Sequence, residues 1–360
     1  MERRTVLKAM LAANMTALPL ARALAAGDPL KVGFIYLGPV GDCGFAYQQD
    51  LGRQALEKNM GSQVNVRVVP DTNEGPDAER VARELTHDGC KLIFAASFGY
   101  MNPVMKVARQ NPGTYYTIAS GYRTMKNFGG YNAKWQEGSY LAGIAAGKMT
   151  KSNIIGYVAP HPVPDVMWAV NAFQLGAQSV NPKAGVQVIF VNSWYDPGKE
   201  REAALTLMNL GADFMTHFTD TPSVVQAAEE KGVWSISFHS DMSKYAPVKY
   251  VTGITHNWGN YFTQVAKKVI AGTQQGELYF GGIKEGVVKM APFGPHVPAD
   301  VISAVKAKEQ DIASGKFNVF AGPIKDQAGT VRVAAGSAYP EADLGKMDWF
   351  VQGVTGSTGR

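Results

Sequence analysis

The stretch KVGFIYLGPVGDCGFAYQQDLGR, Lys31 to Arg53, decides the fold predicted for this chain. A short apolar run, Val32 to Leu37, ends in a glycine-rich turn, and a helical pattern begins near Phe45. This order predicts a β-strand, a turn and an α-helix. In an open α/β sheet such a turn lies at the carboxyl edge, where ligands bind, and the first N–H groups of the helix point at the bound molecule. Asp42, Phe45 and Tyr47 are therefore candidate ligand-binding residues.

The same alternation of strand and helix signals continues along the chain and occurs twice. The first series runs from Leu30 to about Met149, and the second runs from Ile154 to Phe238. Alternation of this kind predicts parallel sheets covered by helices. In both series, the loops after the strands are rich in polar and aromatic residues. Two such lobes facing each other would offer aromatic faces, carboxylates and amides to a flat ligand with polar edges.

The first residues of the chain are typical of an export signal. A twin arginine, Arg3 and Arg4, precedes a mildly apolar run, and Ala23-Leu24-Ala25 has the small residues of a cleavage site. We therefore expect residues 1–25 to be a twin-arginine signal peptide, cleaved near Ala25, and the mature protein to be periplasmic. No cysteine lies at this site, so a lipid anchor is not expected.

Composition and charge narrow the classes of partner. The chain has 360 residues, of which 46% are hydrophobic and 18% charged, which allows a packed core in two domains. Its formal net charge is +5, and the signal segment contributes +3 of this, which leaves +2. No basic block remains, so nucleic acid and membrane surfaces are not expected partners.

The chain contains two cysteines, Cys43 and Cys90. They lie at opposite ends of the predicted first sheet, and a five-residue strand separates those ends by roughly 16 Å. This distance exceeds the reach of a disulfide, so we expect two free thiols. A metal site is not expected either, because no cluster of Cys or His is present.

Two classes of enzyme remain as alternatives to a binding protein. Gly38, Gly41 and Gly44 form G-x-x-G-x-x-G, whereas the dinucleotide-binding fingerprint is G-x-G-x-x-G, and this spacing disfavours a nucleotide-dependent oxidoreductase. Carboxylates across a cleft could cleave a nucleoside, and product formation would distinguish that activity from binding. The sequence contains no nucleophile elbow and no His-x-x-x-His pair. We therefore expect a binding protein without a metal or redox cofactor.

A series of longer motifs carries a family resemblance along most of the chain. The chain resembles the basic-membrane-protein-like solute-binding proteins of ABC transporters, which include purine nucleoside receptors, and within them a subgroup linked to adenine and related purine bases. The matching stretches lie in order between Val32 and Val354 and are PVGDCGFAYQQDLGR, SFGYMNPVMKVA, GGYNAKWQEGSYLAGIAAGKMTKS, VNSWYDPGKE, FTDTPSVVQAAEE, SDMSKYAP, HNWGNYF, APFGP, GPIKDQAG and MDWFVQGV.

This resemblance implies a periplasmic-binding-protein type I fold, in which two α/β lobes with parallel sheets are joined by three hinge strands and close on a ligand in the cleft at the hinge. On this basis we expect residues 30–147 and about 255–300 to form the first lobe, and residues 151–250 and about 301–354 to form the second. The implied function is that of an exported, monomeric receptor that captures a purine base or nucleoside, with an adenine-type ligand favoured, and docks an ABC transporter permease.

The resemblance also implies a set of ligand-binding residues. The family places a purine ring between aromatic side chains, with polar groups at the ring edges. The corresponding aromatic positions are Phe45, Phe98, and Trp194 or Tyr195, with Tyr47 nearby. Gly99, which directly follows Phe98, belongs to the same predicted set. The corresponding polar positions are Asp42, Asn132, Asp220 and Asp241.

Two departures and several alternatives accompany these assignments. Relatives often carry tryptophan in place of Phe45, which predicts weaker stacking or a larger pocket in this chain. Many relatives carry aspartate in place of His239, so we expect a different ring edge or sugar hydroxyl of the ligand to be recognised at this position. Asp42, Asp220 and Asp241 are also placed to cap helices, and Asn132 could pack at the hinge. A sugar or another small polar solute suits the same residue types, so the choice of a purine rests on the resemblance.

Overall fold

Strands and helices alternate in the computed structural model, which describes residues 28–357. The predicted signal peptide and its cleavage site lie outside these residues. In chain order, the first elements are β1 (Leu30–Tyr36), α1 (Gly44–Met60), β2 (Val64–Val69), α2 (Pro76–His87), β3 (Leu92–Ala96), α3 (Met101–Gln110), β4 (Tyr115–Ala119), β5 (Phe128–Ala133) and α4 (Trp135–Met149).

A second alternating series follows, and a less regular segment completes the described chain. The second series consists of β6 (Ile154–Ala159), α5 (Pro164–Val180), β7 (Gly185–Phe190), α6 (Pro197–Asn209), β8 (Phe214–His217), α7 (Ser223–Glu230), β9 (Trp234–His239) and β10 (Tyr250–His256). The final elements are α8 (Gly259–Ile270), β11 (Leu278–Gly281), β12 (Val288–Met290), α9 (Ala299–Ala313), β13 (Ile324–Lys325), β14 (Val331–Val333) and β15 (Val354–Thr355). None of the helices described is long and apolar enough to span a bilayer.

The two series build two separate sheets. The first has the order β11-β5-β4-β3-β1-β2 with all pairs parallel, and the second has the order β12-β10-β9-β8-β6-β7-β15, in which only β12 is antiparallel to its neighbour. The central strands are apolar on both faces because helices cover both sides of a parallel sheet. Phe34 of β1, for example, stacks on Phe94 of β3 with 4.7 Å between ring centres. This architecture confirms the predicted fold class of two parallel-sheet lobes.

The chain passes between the sheets three times. It leaves the first sheet after β5, returns after β10 through α8, which packs on α1, and leaves again between β11 and β12. Helix α4 lies within the range 30–147 expected for the first lobe, yet it packs on α5 and β10 of the second. Strand β12, within the expected range 255–300, likewise joins the second sheet. We therefore propose lobe boundaries near residues 134, 257 and 284.

Small residues explain why α4 packs on the second lobe. A Cβ atom at Gly143 would lie 2.0 Å from the carbonyl oxygen of Phe173, and one at Gly176 would lie 2.1 Å from that of Tyr140. Only glycine permits this close approach of α4 and α5. Both cysteines are free in the structure, as predicted.

Candidate functional site

A cavity lies between the two sheets, at the carboxyl ends of their strands. Its unfilled space, including the part that is open to solvent, is about 520 Å³. Both lobes contribute to its wall. The lining residues are Leu37, Gly38, Phe45, Ala46, Ala96, Ser97, Phe98 and Ser120 from the first lobe, and Trp135, Asp165, Trp194, Phe218, Asp220 and His239 from the second.

Aromatic rings from both lobes form much of this wall. Phe45, the second residue of α1, meets the ring of His239 edge to face with 5.2 Å between ring centres. Trp135 meets Phe218 edge to face at 5.9 Å, and Trp194 packs on a neighbouring histidine ring. Flat apolar faces of this kind favour a planar or ring-shaped ligand.

The tip of α1 makes close contact with the second lobe. Gly44 has a positive φ of 88°, and a Cβ atom there would lie only 2.2 Å from the carbonyl oxygen of Asp220. The N–H of Gly44 also donates to the hydroxyl of Ser240 at 2.8 Å. The glycine therefore lets the first turn of α1 approach the second lobe closely enough to position Phe45 in the cavity.

Two carboxyl groups lie in the cavity wall, both from the second lobe. Asp165, in the first turn of α5, accepts a hydrogen bond from Nδ2 of Asn132 at 2.8 Å, and burial raises its pKa to about 6. Asp220 follows β8, and burial, with a smaller contribution from Glu200, holds its pKa well above the ordinary value. Buried carboxyls without a cationic partner can donate or accept a ligand hydrogen bond, depending on their protonation.

The backbone around the cleft is unusual. Five non-glycine residues among those described have positive φ, and four of them, Asp71, Ser120, Asn192 and His239, lie at the carboxyl ends of strands. Ser120 and His239 line the cavity, while Asp71 and Asn192 line the space at its mouth. Strained backbone of this kind concentrates at binding sites, where surrounding contacts compensate for it.

Six of the ten predicted site residues lie at or beside the cavity. Phe45, Phe98, Trp194 and Asp220 are in its wall. Tyr195 lies at the mouth, where its ring packs near Gly38. Asn132 lies behind the wall, where it donates to Asp165 and accepts from Nε1 of Trp135 at 3.0 Å, so it orients two lining side chains.

The structure places the other four predicted residues outside the cavity wall. Asp42 is exposed and accepts hydrogen bonds from Lys244 and Tyr245 of the opposite lobe, of which the bond from Lys244 contributes most to lowering its pKa. Asp241 caps a short turn by accepting from the N–H of Ser243 at 2.9 Å, which is the capping alternative. Gly99 and Tyr47 are the remaining two: the N–H of Gly99 donates to Glu74 at 2.9 Å, and Tyr47 is a half-buried residue of α1.

Several lining residues were not among the predicted set. Asp165 follows Pro164 in the first helical turn, a position at which acidic residues usually serve the helix itself. Because Asp165 does not belong to a motif with other charged residues, the sequence gave no indication that it binds a ligand. Ser120, which follows β4 directly, carries the one available signal, because it is a polar residue at the carboxyl end of an apolar strand. In the described part of the chain, no group of His, Cys, Asp and Glu side chains is arranged to hold a metal ion.

Comparisons with known proteins agree with this architecture. The family model for ABC transporter substrate-binding proteins of the PnrA-like type matches residues 30–327. A purine-binding protein of Brucella abortus is 43% identical over 96% of this chain and 98% of its own length. A putative ABC transporter glucose-binding protein of Haloferax volcanii is 33% identical, covering 92% of this chain and 81% of that protein.

Solved structures of lower identity share the fold. A solute-binding protein of an ABC transporter system from Aeropyrum pernix K1 superimposes with a TM-score of 0.68 at 19% identity, covering 83% of this chain and 93% of that one. A similar protein from Conexibacter woesei gives 0.65 at 22% identity, with 80% and 98% covered. The predicted resemblance and fold are thus confirmed, and the chain belongs to the PnrA-like family of ABC transporter substrate-binding proteins.

Proposed function

We propose that this protein is the exported receptor of an ABC importer and captures a purine base or nucleoside, with an adenine-type ligand favoured. One observation carries the proposal: the cavity between the lobes combines aromatic rings from both lobes with two buried carboxyl groups, Asp165 and Asp220. A purine is flat, apolar on its faces and polar along its rim, so it matches both parts of this wall. The Brucella relative, described as purine-binding, supports the same class of ligand.

The proposed mechanism is reversible capture by closure of the lobes. Phe45 belongs to the first lobe and Asp220 to the second, so a ligand that stacks on one and hydrogen-bonds to the other gains its full contacts only when the cleft is closed. Binding then shifts the population towards the closed form. The protein would act as a monomer in the periplasm, and the closed form would dock the membrane permease.

A thermal-shift screen tests this proposal. The mature protein is refolded to remove bound ligand and is heated with purine bases, nucleosides, simple sugars and nicotinamide dinucleotides. A ligand that binds only the native state raises the melting temperature according to its concentration relative to its dissociation constant. We expect a clear rise with a purine base or nucleoside. A rise with sugars alone would overturn the proposal.

A sugar is the second candidate ligand. The putative glucose-binding relative supports it, and sugars also stack on aromatic rings and hydrogen-bond to carboxyl groups. Glucose belongs in the same screen for this reason. Incubation with adenosine, followed by chromatography of the products, tests the alternative of nucleoside hydrolysis, and we expect adenosine to be recovered intact.

A further inference from the structure

His239 occupies an exceptional place in the cavity wall. It is the last residue of β9, it is 2% exposed, and its φ of +69° lies in the left-handed region, which is uncommon for residues other than glycine, although histidine, asparagine and aspartate adopt it more often than the rest. Five aromatic rings surround its imidazole, with ring centres 4.9–5.5 Å away: Phe45, Trp135, Phe218, Phe238 and His256. The fold thus holds this imidazole at a fixed position among aromatic rings, with Oδ1 of Asp220 3.7 Å from its Nε2.

The hydrogen bond made by one ring nitrogen fixes the tautomer of His239. Its Nε2 lies 3.1 Å from the carbonyl oxygen of Phe218, and a carbonyl oxygen can only accept. Nε2 therefore carries the proton and donates it. Burial lowers the pKa of His239 to about 3, so the ring is neutral at physiological pH. The other nitrogen, Nδ1, consequently presents a lone pair and can only accept.

No residue in the range 28–357 satisfies this acceptor. Nδ1 of His239 is buried and has no hydrogen-bond partner. The N–H of Trp135, on one neighbouring ring, is already donated to Asn132 at 3.0 Å. A buried acceptor without a donor is unfavourable, which indicates that a further molecule completes the hydrogen bond.

We propose that Nδ1 of His239 accepts an N–H of the bound ligand and is a specificity-determining group of the cavity. The inference rests on the proposed function and deepens it, because the ligand must present an N–H donor towards β9. Adenine has such donors on its exocyclic amine and on its ring. A solute whose rim carries only acceptors would leave Nδ1 unpaired and would be rejected.

The competing arrangement involves His256. Nε1 of Trp258 donates to Nδ1 of His256 at 2.6 Å, so Nε2 of His256 carries a proton, and this group also lacks a partner among the described residues. The two imidazole centres are 5.5 Å apart. A single water molecule could therefore accept a hydrogen bond from Nε2 of His256 and donate one to Nδ1 of His239. In that arrangement the ligand would make no hydrogen bond with His239.

A matched pair of variants distinguishes a hydrogen bond between His239 and the ligand from a water bridge between His239 and His256. His239→Asn keeps an acceptor, because Oδ1 of asparagine can take the position of Nδ1, and asparagine tolerates positive φ. In His239→Leu, the leucine side chain has nearly the shape of asparagine but carries no hydrogen-bond acceptor. We expect the leucine variant to bind adenine about 10- to 100-fold more weakly than the asparagine variant. Replacing the exposed His296 by leucine is the control and should leave the affinity unchanged.

Nuclear magnetic resonance of the parent protein gives a second measurement that does not depend on variants. With ¹⁵N-labelled histidine and ¹⁵N-labelled adenine, an N–H···N hydrogen bond produces a scalar coupling between Nδ1 of His239 and a nitrogen of adenine. Such a coupling would support the proposal. Adenine binding without it, together with equal affinities of the two variants, would overturn the proposal and favour the water bridge to His256. If neither adenine nor any other purine base or nucleoside binds the parent protein, the proposed function itself fails and this inference falls with it.

Discussion

Replacing Phe45 by alanine tests the role of aromatic stacking in the cavity. The ring lies in the cavity wall, half-buried, and meets His239 and His256 at 5.2 and 5.3 Å between ring centres. Stacking of a base on an aromatic side chain contributes about 1–3 kcal/mol in proteins that bind single-stranded nucleic acids. If a purine stacks on Phe45, the substitution should weaken binding by about 5- to 150-fold.

Isothermal titration of the ligand-free protein with adenine measures this loss. Leu51→Ala is the control, because Leu51 lies on the same helix but is partly exposed and outside the cavity. It should leave the dissociation constant unchanged. The melting temperature of each ligand-free variant checks that the fold is retained. An unchanged dissociation constant for Phe45→Ala would show that this ring does not contact the ligand.

Three further predictions concern closure of the lobes and the buried histidines. Gly44→Ala should abolish the rise in melting temperature with adenine, because a Cβ atom would lie 2.2 Å from the carbonyl oxygen of Asp220 in the opposite lobe. The ligand-free variant should also melt a few degrees below the parent, because alanine is strained at the positive φ of this position; a normal rise with adenine would contradict the prediction. Asp42→Asn removes the ion pair with Lys244 across the cleft, so the affinity should fall a few-fold and depend less on salt concentration, and titrations at low and high salt check both effects. Burial lowers the pKa of His217 to about 4, below the ordinary value near 6.5. As the pH falls, the imidazole of residue 217 is therefore protonated in the unfolded chain before it is protonated in the folded protein, which favours unfolding. The free energy of unfolding of the parent, relative to that of His217→Asn, should drop by about 2–3 kcal/mol between pH 7 and pH 4.5, as measured by urea denaturation. A constant difference would show that His217 is not a buried neutral group.

Local patterns predicted most of the fold. The apolar run ending at Leu37 and the helical pattern from Phe45 correspond to β1 and α1, and the repeat of this alternation predicted two parallel sheets. The lobe to which α4 belongs was not predictable in the same way. Its packing depends on close contacts such as that of Gly143 with Phe173, which join positions 30 residues apart in sequence.

The candidate site was predictable only in part, because an acidic residue after a strand can serve two roles. Asp42, Asp220 and Asp241 all follow strands and precede helical turns, so local sequence could not separate ligand binding from capping. Asp241 bonds within its own turn, whereas Asp42 pairs with Lys244 across the cleft and Asp220 lies in the cavity wall. Asp165, missed from the sequence, looks like an ordinary acid of a first helical turn.

The most direct test of purine capture is a titration of the refolded, ligand-free parent protein with adenine, adenosine and glucose in an isothermal calorimeter. We expect saturable binding of adenine or adenosine with one molecule per protein, and no binding of glucose. Binding of glucose without binding of either purine would contradict this expectation.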